Sequence, residues 1–257
     1  VGALHAVILA AGAGSRMGRL TQRRPKALLR LGGRRLLDWQ LAALRAAGIA
    51  GVSVVSGHAA AALSAADGFG LVHNAAWQDS GPIASFACAD PARFDASLLV
   101  YGDGVFHPDL ARALRHSTAD VAITVDRRWQ ELWSRRFDDV LADAESLRRQ
   151  DGQLREIGAR AADVAAIEAQ FTGLVRFSRR GWQQAEAALD TLAPARRRRI
   201  DTTALLALLL QRGAAVAAID VDGRWCEVDS ARDLALYRLL ARRCPGWSHD
   251  WRWDAAT

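Results

Sequence analysis

Lysine is all but missing from this chain. Of its 34 lysines and arginines, Lys26 is the single lysine and the other 33 are arginine. The bias excludes lysine as a general surface cation and gives the one ammonium weight. A compact point charge with rotatable donors is kept where a planar guanidinium would not serve. Cysteine is sparse as well. Cys88, Cys226 and Cys244 are odd in number, far apart and without a C-x-x-C pair, which excludes a disulfide framework or a cysteine zinc site and fits a reducing, cytoplasmic setting. Long apolar runs are absent too; even 203–210 passes directly into Gln211, Arg212 and Gly213, so no membrane span is expected. The apolar start at 4–10 lacks a basic flank and reads as a strand, not a secretory signal. With no low-complexity linker and no internal repeat, the 257 residues are expected to form one domain.

What is present is basic. A net charge of +6 and a pI near 10.1 favour anionic partners: nucleotides, phosphorylated metabolites or nucleic acid. The arginine run at 196–199 has no interleaved aromatics and reads as a solvated turn between helices, not a nucleic-acid groove.

Periodicity supplies the organisation. An apolar strand at 4–10 stops at Gly12 and Gly14; a helix at 34–47 sets Leu36, Leu37, Leu41 and Leu44 at helical spacing. Strands follow at 51–56 and 70–73 around a short helix at 59–66. Gly81-Pro82 opens a further helix, and the strand at 97–101 ends in Gly102-Asp103-Gly104. A helix at 107–116 and a strand at 121–125 continue the alternation. Between about 126 and 177 it breaks into a small β-rich insertion, with an edge strand at 152–158 and a strand at 171–177. Helices at 181–192 and 202–212 lead to strands at 216–221 and 225–228, paired as a hairpin across Asp222-Gly223. The last helix, 230–242, has Ser230 as its N-cap with Asp233 completing a capping box. The pattern predicts an α/β fold: three layers, α/β/α, around a mostly parallel Rossmann-like sheet. The tail at 247–254, with three tryptophans, is expected to fold back on the domain or to serve an oligomer contact.

The chemistry is concentrated at the first strand's end. Ala10, Ala11, Gly12, Ala13, Gly14 and Ser15 form a glycine-rich turn whose backbone N–H groups suit phosphate, and Arg16 and Lys26 add charge to it. Asp103 and Asp229 each follow a distant strand. Two carboxylates over a phosphate loop suit Mg²⁺, which takes few protein ligands and completes its shell with phosphates and water. The competing readings are an Asx-type turn for Asp103 and a helix cap for Asp229, a role that Ser230 already fills. His58, where a strand turns into a helix, is expected to cap or pack.

Gly12-x-Gly14-Ser15-Arg16-Met17 with Pro25-Lys26, Gly102-Asp103 after a strand, and Glu227-Val228-Asp229-Ser230 before the last helix resemble the nucleotidyltransferases that make nucleoside-diphosphate sugars and related activated head groups. The phosphocholine and phosphonate cytidylyltransferase branch is the most similar, through Trp129-x-x-x-Trp133, Asp143-Ala144-Glu145, Glu156-Ile157-Gly158 and Thr172-Gly173-Leu174. The resemblance implies a Mg²⁺-dependent reaction of CTP with a small phosphate or phosphonate acceptor, releasing pyrophosphate. By it the loop, Arg16 and Ser85 hold the nucleotide, Lys26 neutralises charge at the α-phosphate, and Asp103 and Asp229 hold the metal. A phosphate oxygen needs no activation at neutral pH, so the reaction is alignment and electrostatic stabilisation of an in-line displacement. Gly81-Pro82 stand where the branch often has Asn.

For the acceptor, Tyr101, Trp129, Trp133, Trp225 and Glu227 are the candidates, since aromatic faces and a carboxylate would meet an ammonium head group. Arg127, Arg128, Arg135 and Arg136 offer cations for its phosphonate, against the reading of a solvated charged face. The alternatives are a sugar-1-phosphate nucleotidylyltransferase, a non-catalytic nucleotide sensor and, last, a basic nucleic-acid-binding module.

Overall fold

The computed structural model describes residues 3–64, 68–244 and 246–253. In chain order the strands are β1 (Leu4–Ala10), β2 (Arg30–Leu31), β3 (Arg34–Arg35), β4 (Val52–Ser56), β5 (Gly70–His73), β6 (Ala96–Tyr101), β7 (Gly104–Phe106), β8 (Val121–Asp126), β9 (Glu145–Gln150), β10 (Gln153–Arg160), β11 (Gln170–Ser178), β12 (Val216–Val221) and β13 (Trp225–Glu227). The helices are α1 (Leu36–Ala46), α2 (Pro82–Ala87), α3 (Pro108–His116), α4 (Trp129–Arg136), α5 (Arg179–Leu189), α6 (Pro194–Arg199), α7 (Thr202–Gln211) and α8 (Ala231–Arg243).

A nine-stranded sheet runs β5-β4-β1-β6-β11-β8-β12-β10-β9. All its strands point one way except β11 and β10. The buried strands β1, β4, β6 and β8 read as continuous apolar runs because both faces of the sheet are covered. Alternate residues divide between two cores. Ala6, Ile8, Leu98 and Val100 join α1, α3 and α8, while Val7, Leu99 and Val175 join α2, α5 and α7. The result is the three-layer α/β/α arrangement.

Within 126–177, β9 and β10 lengthen the sheet, and β11 enters its middle, antiparallel to both β6 and β8. The expected edge strand, β10, lies between β12 and β9, so β9 is the edge. The expected hairpin does not form. Asp222-Gly223 is a turn, with Gly223 at φ +71°, and a Cβ there would lie 2.2 Å from the Ser248 carbonyl. After that turn the two strands part: β12 stays on β8 and β13 pairs with β7. The buried Asp126 carboxylate holds this divergence by accepting from Gly223 N (2.8 Å), Trp225 Nε1 (2.9 Å) and His249 Nε2 (2.7 Å).

The expected helix at 59–66 is a single 3₁₀ turn at Ala60–Ala62, and Ala65 and Ala66 lie outside the described residues. The arginine run is not a turn but the exposed helix α6, begun by Pro194. Its end crosses over Gly81, where a Cβ would lie 2.6 Å from the Ile200 carbonyl. The tail folds back, with Trp251 fully buried and edge-on to Trp39 at 6.1 Å.

Candidate active site

The site forms at the carboxyl ends of β1 and β6, where open α/β sheets bind ligands. The glycine loop is pinned from behind. Gly14 takes φ +60°, its carbonyl accepts from Thr21 Oγ1 at 2.9 Å, and the Thr21 carbonyl in turn accepts from His58 Nε2 at 2.7 Å. His58 thus ties the loop to the start of the β4–β5 connection. A cavity of about 330 Å³ opens over this loop. Ala10, Ala11, Gly12, Gly14 and Ser15 line it, facing Ser85 on α2; Ala13, half-buried in the same loop, is not among the lining residues. Ser85 is held by Asn74, whose Nδ2 donates to Ser85 Oγ (3.0 Å) and Ser80 Oγ (2.8 Å).

Asp103 follows β6 across Gly102, whose N–H donates to the Leu9 carbonyl at 3.0 Å. A Cβ at Gly102 would sit 2.4 Å from that same oxygen, which is why only glycine lets β6 turn against β1. Gly102→Ala is expected to cost about 1–3 kcal/mol, as overpacking does. Urea denaturation reads that loss. The turn is also clasped by Gln40, fully buried on α1, whose Nε2 donates to the Tyr101 (2.7 Å) and Gly104 (2.6 Å) carbonyls. A polar residue within the Leu36–Leu37–Leu41–Leu44 stripe was the sequence signal for it.

The β7–β13 ribbon brings the second carboxylate in. Glu227 pairs with Gly104, and Val228 N donates to the Asp103 carbonyl at 3.0 Å. Ser230 Oγ accepts from Asp233 N, while the Asp233 carboxylate accepts from Ser230 N and Asp229 N (2.8 and 3.0 Å). Ser230 is therefore the cap, and the Asp229 side chain is left to the site. Lys26, on a 3₁₀ turn after the extended Pro25, places Nζ 2.8 Å from Asp103 Oδ2 and 3.2 Å from Asp229 Oδ1. Burial alone would depress its pKa, but the two carboxylates outweigh that and the net shift is upward. For Asp229, burial raises the pKa and Lys26, Arg16 and Arg136 lower it, with a net fall. Arg16 Nη2 reaches Asp229 Oδ1 at 3.2 Å from a largely exposed position.

The sequence sets Arg136 among cations for the acceptor, or on a solvated face. The structure corrects both. Its side chain is fully buried, with Nη1 2.5 Å from Glu227 Oε1, Nη2 3.1 Å from Asp229 Oδ2 and Nε 3.2 Å from Asp233 Oδ1. The guanidinium also lies over the rings of Trp133 (5.2 Å) and Phe137 (4.9 Å). It is committed to holding the acidic strand end, not to a ligand. Arg127 is likewise taken up by Asp222 and Arg128 by Glu131, at 2.8 and 2.7 Å.

A second cavity, of about 340 Å³, shares Arg16, Tyr101 and Asp103 with the first. Trp133, Glu227 and Asp229 line it. Trp129 does not; it is in the core, edge-on behind Trp133 at 6.0 Å. Trp225 is also buried, spent on Asp126. Burial pushes the Glu227 carboxyl up, against the pull of Arg136. Tyr101, between the cavities, gives its hydroxyl to a 2.8 Å bond with Thr202 Oγ1, and burial raises its pKa well above the usual phenol value.

Among the described residues no three His, Cys, Asp or Glu side chains close on a point that would hold a metal. Asp103 and Asp229 do converge, on the Lys26 ammonium. A pair of hard oxygen donors beside a phosphate loop fits a divalent ion that takes its remaining ligands from phosphate and water.

Residues 6–165 match the model of the MobA-like NTP transferase domain. The chain is 30% identical over 247 residues to the CTP:phosphoglutamine cytidylyltransferase of Campylobacter jejuni, covering 90% of this chain and 98% of that one. Among solved structures it superposes on the inositol-1-phosphate CTP transferase from T. maritima with a TM-score of 0.73 at 21% identity, over 96% of this chain and 98% of that one. A CTP:phosphocholine cytidylyltransferase from Streptococcus pneumoniae superposes at 0.67 and 16% identity, over 93% and 99%. At these identities the two structures speak for the fold. Among the described residues no helix is long and apolar enough to cross a membrane. The matched domain, which contains the glycine loop, Lys26 and Asp103, makes the chain a member of the MobA-like NTP transferase family, a nucleotidyltransferase.

Proposed function

We propose that the protein is a Mg²⁺-dependent cytidylyltransferase, acting in the cytoplasm, that joins CTP to a small phosphonate or phosphocholine-like acceptor and releases pyrophosphate. The observation that carries this is the single lysine of the chain, set between Asp103 and Asp229 where the two cavities meet. The glycine loop would take the triphosphate through its backbone N–H groups, with Arg16 beside it. Ser85, oriented by Asn74, stands at the end of the cavity suited to the base. An acceptor oxygen, already ionised, attacks the α-phosphorus in line; the new P–O bond forms as the bond to the β-phosphate oxygen breaks, and pyrophosphate carries off the electron pair. Lys26 neutralises charge on the non-bridging oxygens. Asp103 and Asp229 would hold Mg²⁺, which supplies charge neutralisation for the phosphates when bound.

The test crosses four NTPs with 2-aminoethylphosphonate, 2-hydroxyethylphosphonate, phosphocholine and glucose-1-phosphate, and measures pyrophosphate release. Release with CTP and a phosphonate or phosphocholine is the expected result. Release with glucose-1-phosphate alone would move the protein to the sugar-1-phosphate nucleotidylyltransferases, and no release with any pair would leave a nucleotide sensor.

A further inference from the structure

A single amide spans the turn that carries Asp103. Gln40 is fully buried on α1 and lines neither cavity. Its Nε2 gives one hydrogen to the Tyr101 carbonyl and the other to the Gly104 carbonyl, at 2.7 and 2.6 Å. Those two carbonyls stand on either side of Gly102-Asp103. The Gly104 carbonyl is available because of the β7–β13 ribbon. The ribbon's bonds run from Val228 N to the Asp103 carbonyl (3.0 Å) and from His107 N to the Arg224 carbonyl (2.9 Å). Hydrogen-bonded and non-bonded pairs alternate along an antiparallel ribbon, so Gly104, one place on from Asp103, directs its carbonyl away from β13 and onto α1. One side chain thus holds both the β6–β7 turn and the outer edge of the ribbon that delivers Asp229. Filling space does not account for it. Gln40 Oε1 is buried without a hydrogen-bond partner among the described residues, and an unmet buried oxygen carries a cost that a methionine of similar length would avoid. What the amide does, and a methionine cannot do, is bond two backbone carbonyls.

We propose that Gln40 is a positioning residue for the transfer reaction: by fixing the backbone on both sides of Asp103, it sets the separation of the Asp103 and Asp229 carboxylates across Lys26. This rests on the roles given above to those three side chains. The separation is tight, with Nζ 2.8 Å from one carboxylate and 3.2 Å from the other. A misplacement on the order of 1 Å, caused far from the chemistry, can cost about 10² in rate. The glycine loop is pinned separately, through Thr21 and His58, so holding the triphosphate does not depend on Gln40.

The lone lysine makes this geometry readable without turnover. In the whole chain carrying isotope-labelled lysine, one side-chain NMR signal reports the surroundings of Nζ, with neither metal nor nucleotide present. In Gln40→Met that signal should move. With CTP and the acceptor that turns over fastest in the crossed assay, kcat for pyrophosphate release should fall by about 10- to 100-fold, while KM for CTP stays within about twofold. Leu44→Ala is the control, since Leu44 is equally buried and lies one turn further along the same face of α1. It should melt at a lower temperature yet keep the lysine signal in place and kcat within about twofold of the parent. Gln40→Glu keeps the shape with at most one donor and should follow Gln40→Met; it carries the test if the methionine variant does not fold. An unmoved signal or an unchanged kcat in the Gln40 variants would overturn the proposal. So would the same changes in Leu44→Ala, which would make them a general effect of loosening α1. If no pair of NTP and acceptor turns over even in the parent, the signal alone decides. Should it move, the placement by Gln40 stands and only the catalytic reading fails; should it stay, the placement fails as well.

Discussion

Lys26→Ala is expected to lower kcat by about 10²–10³, the loss seen when one donor to a developing anion is removed. The magnitude follows from position. Nζ is the point where both site carboxylates meet, its side chain is 13% exposed, and its raised pKa keeps it an ammonium across the neutral range. Low exposure weakens solvent screening, so the charge acts at close to full strength on a phosphate beside it. Lys26→Arg should recover only a minor part. A planar fork cannot place one compact charge within 3.2 Å of two carboxylates on different strands and still reach a phosphate. Steady-state pyrophosphate release checks this, with circular dichroism confirming the fold. Turnover within about threefold of the parent, far short of a lost transition-state contact, would remove Lys26 from the reaction.

The second large effect is on stability. Arg136→Met should destabilise the protein by about 3–5 kcal/mol, the cost of stranding buried charge. In a chain of this length that corresponds to a melting-temperature drop on the order of 10 °C. Burial works against the guanidinium's charge, yet Glu227, Asp233 and their hydrogen bonds raise its pKa overall, so it stays charged and tightly held. Without it Glu227, Asp229 and Asp233 crowd one strand end, where among the described residues only Lys26 and Arg16, both at Asp229, pair with any of them. Asp233 also carries the α8 capping box, so the start of that helix should loosen with it. Guanidinium chloride denaturation of Arg136→Met and Arg136→Lys gives the comparison. A loss below about 1 kcal/mol, the range of a surface pair, would mean the three carboxylates find other partners.

The glycine loop, Lys26, Asp103 and Asp229 were legible because each leaves a local mark: a glycine pair, a lone lysine, an acid at a strand's end. The capping box of Ser230 and Asp233 was legible for the same reason. Arg136 left none. Its neighbours in sequence, Ser134, Arg135 and Asp138, are those of a solvated face, and its three partners lie 91 to 97 positions away. The lost hairpin has the same origin. Asp222-Gly223 does turn, but the choice of partner for β13 was made by Asp126, a buried acid that nothing in the pattern of β8 set apart. Trp129 and Trp133 share a helix and a spacing, so sequence could not say which one faces the cavity; only the packing of α4 divides them.

The place of β11 in the sheet bears on how the chain is made. It fills the gap between β6 and β8, both of which precede it in sequence. On a ribosome β6 can join β1, but its other edge has no native neighbour until residue 178 has been added. At about 5–20 residues per second, the interval from Tyr101 to Ser178 is on the order of 4–15 s. For that time an apolar strand, Ala96–Tyr101, presents open backbone donors and acceptors to the surroundings. Asp229 arrives later still, so a nascent chain can hold the nucleotide loop long before it can hold both carboxylates. Expression at lower temperature, which weakens apolar association, should therefore raise the yield of native protein more than any change made to the finished fold's surface.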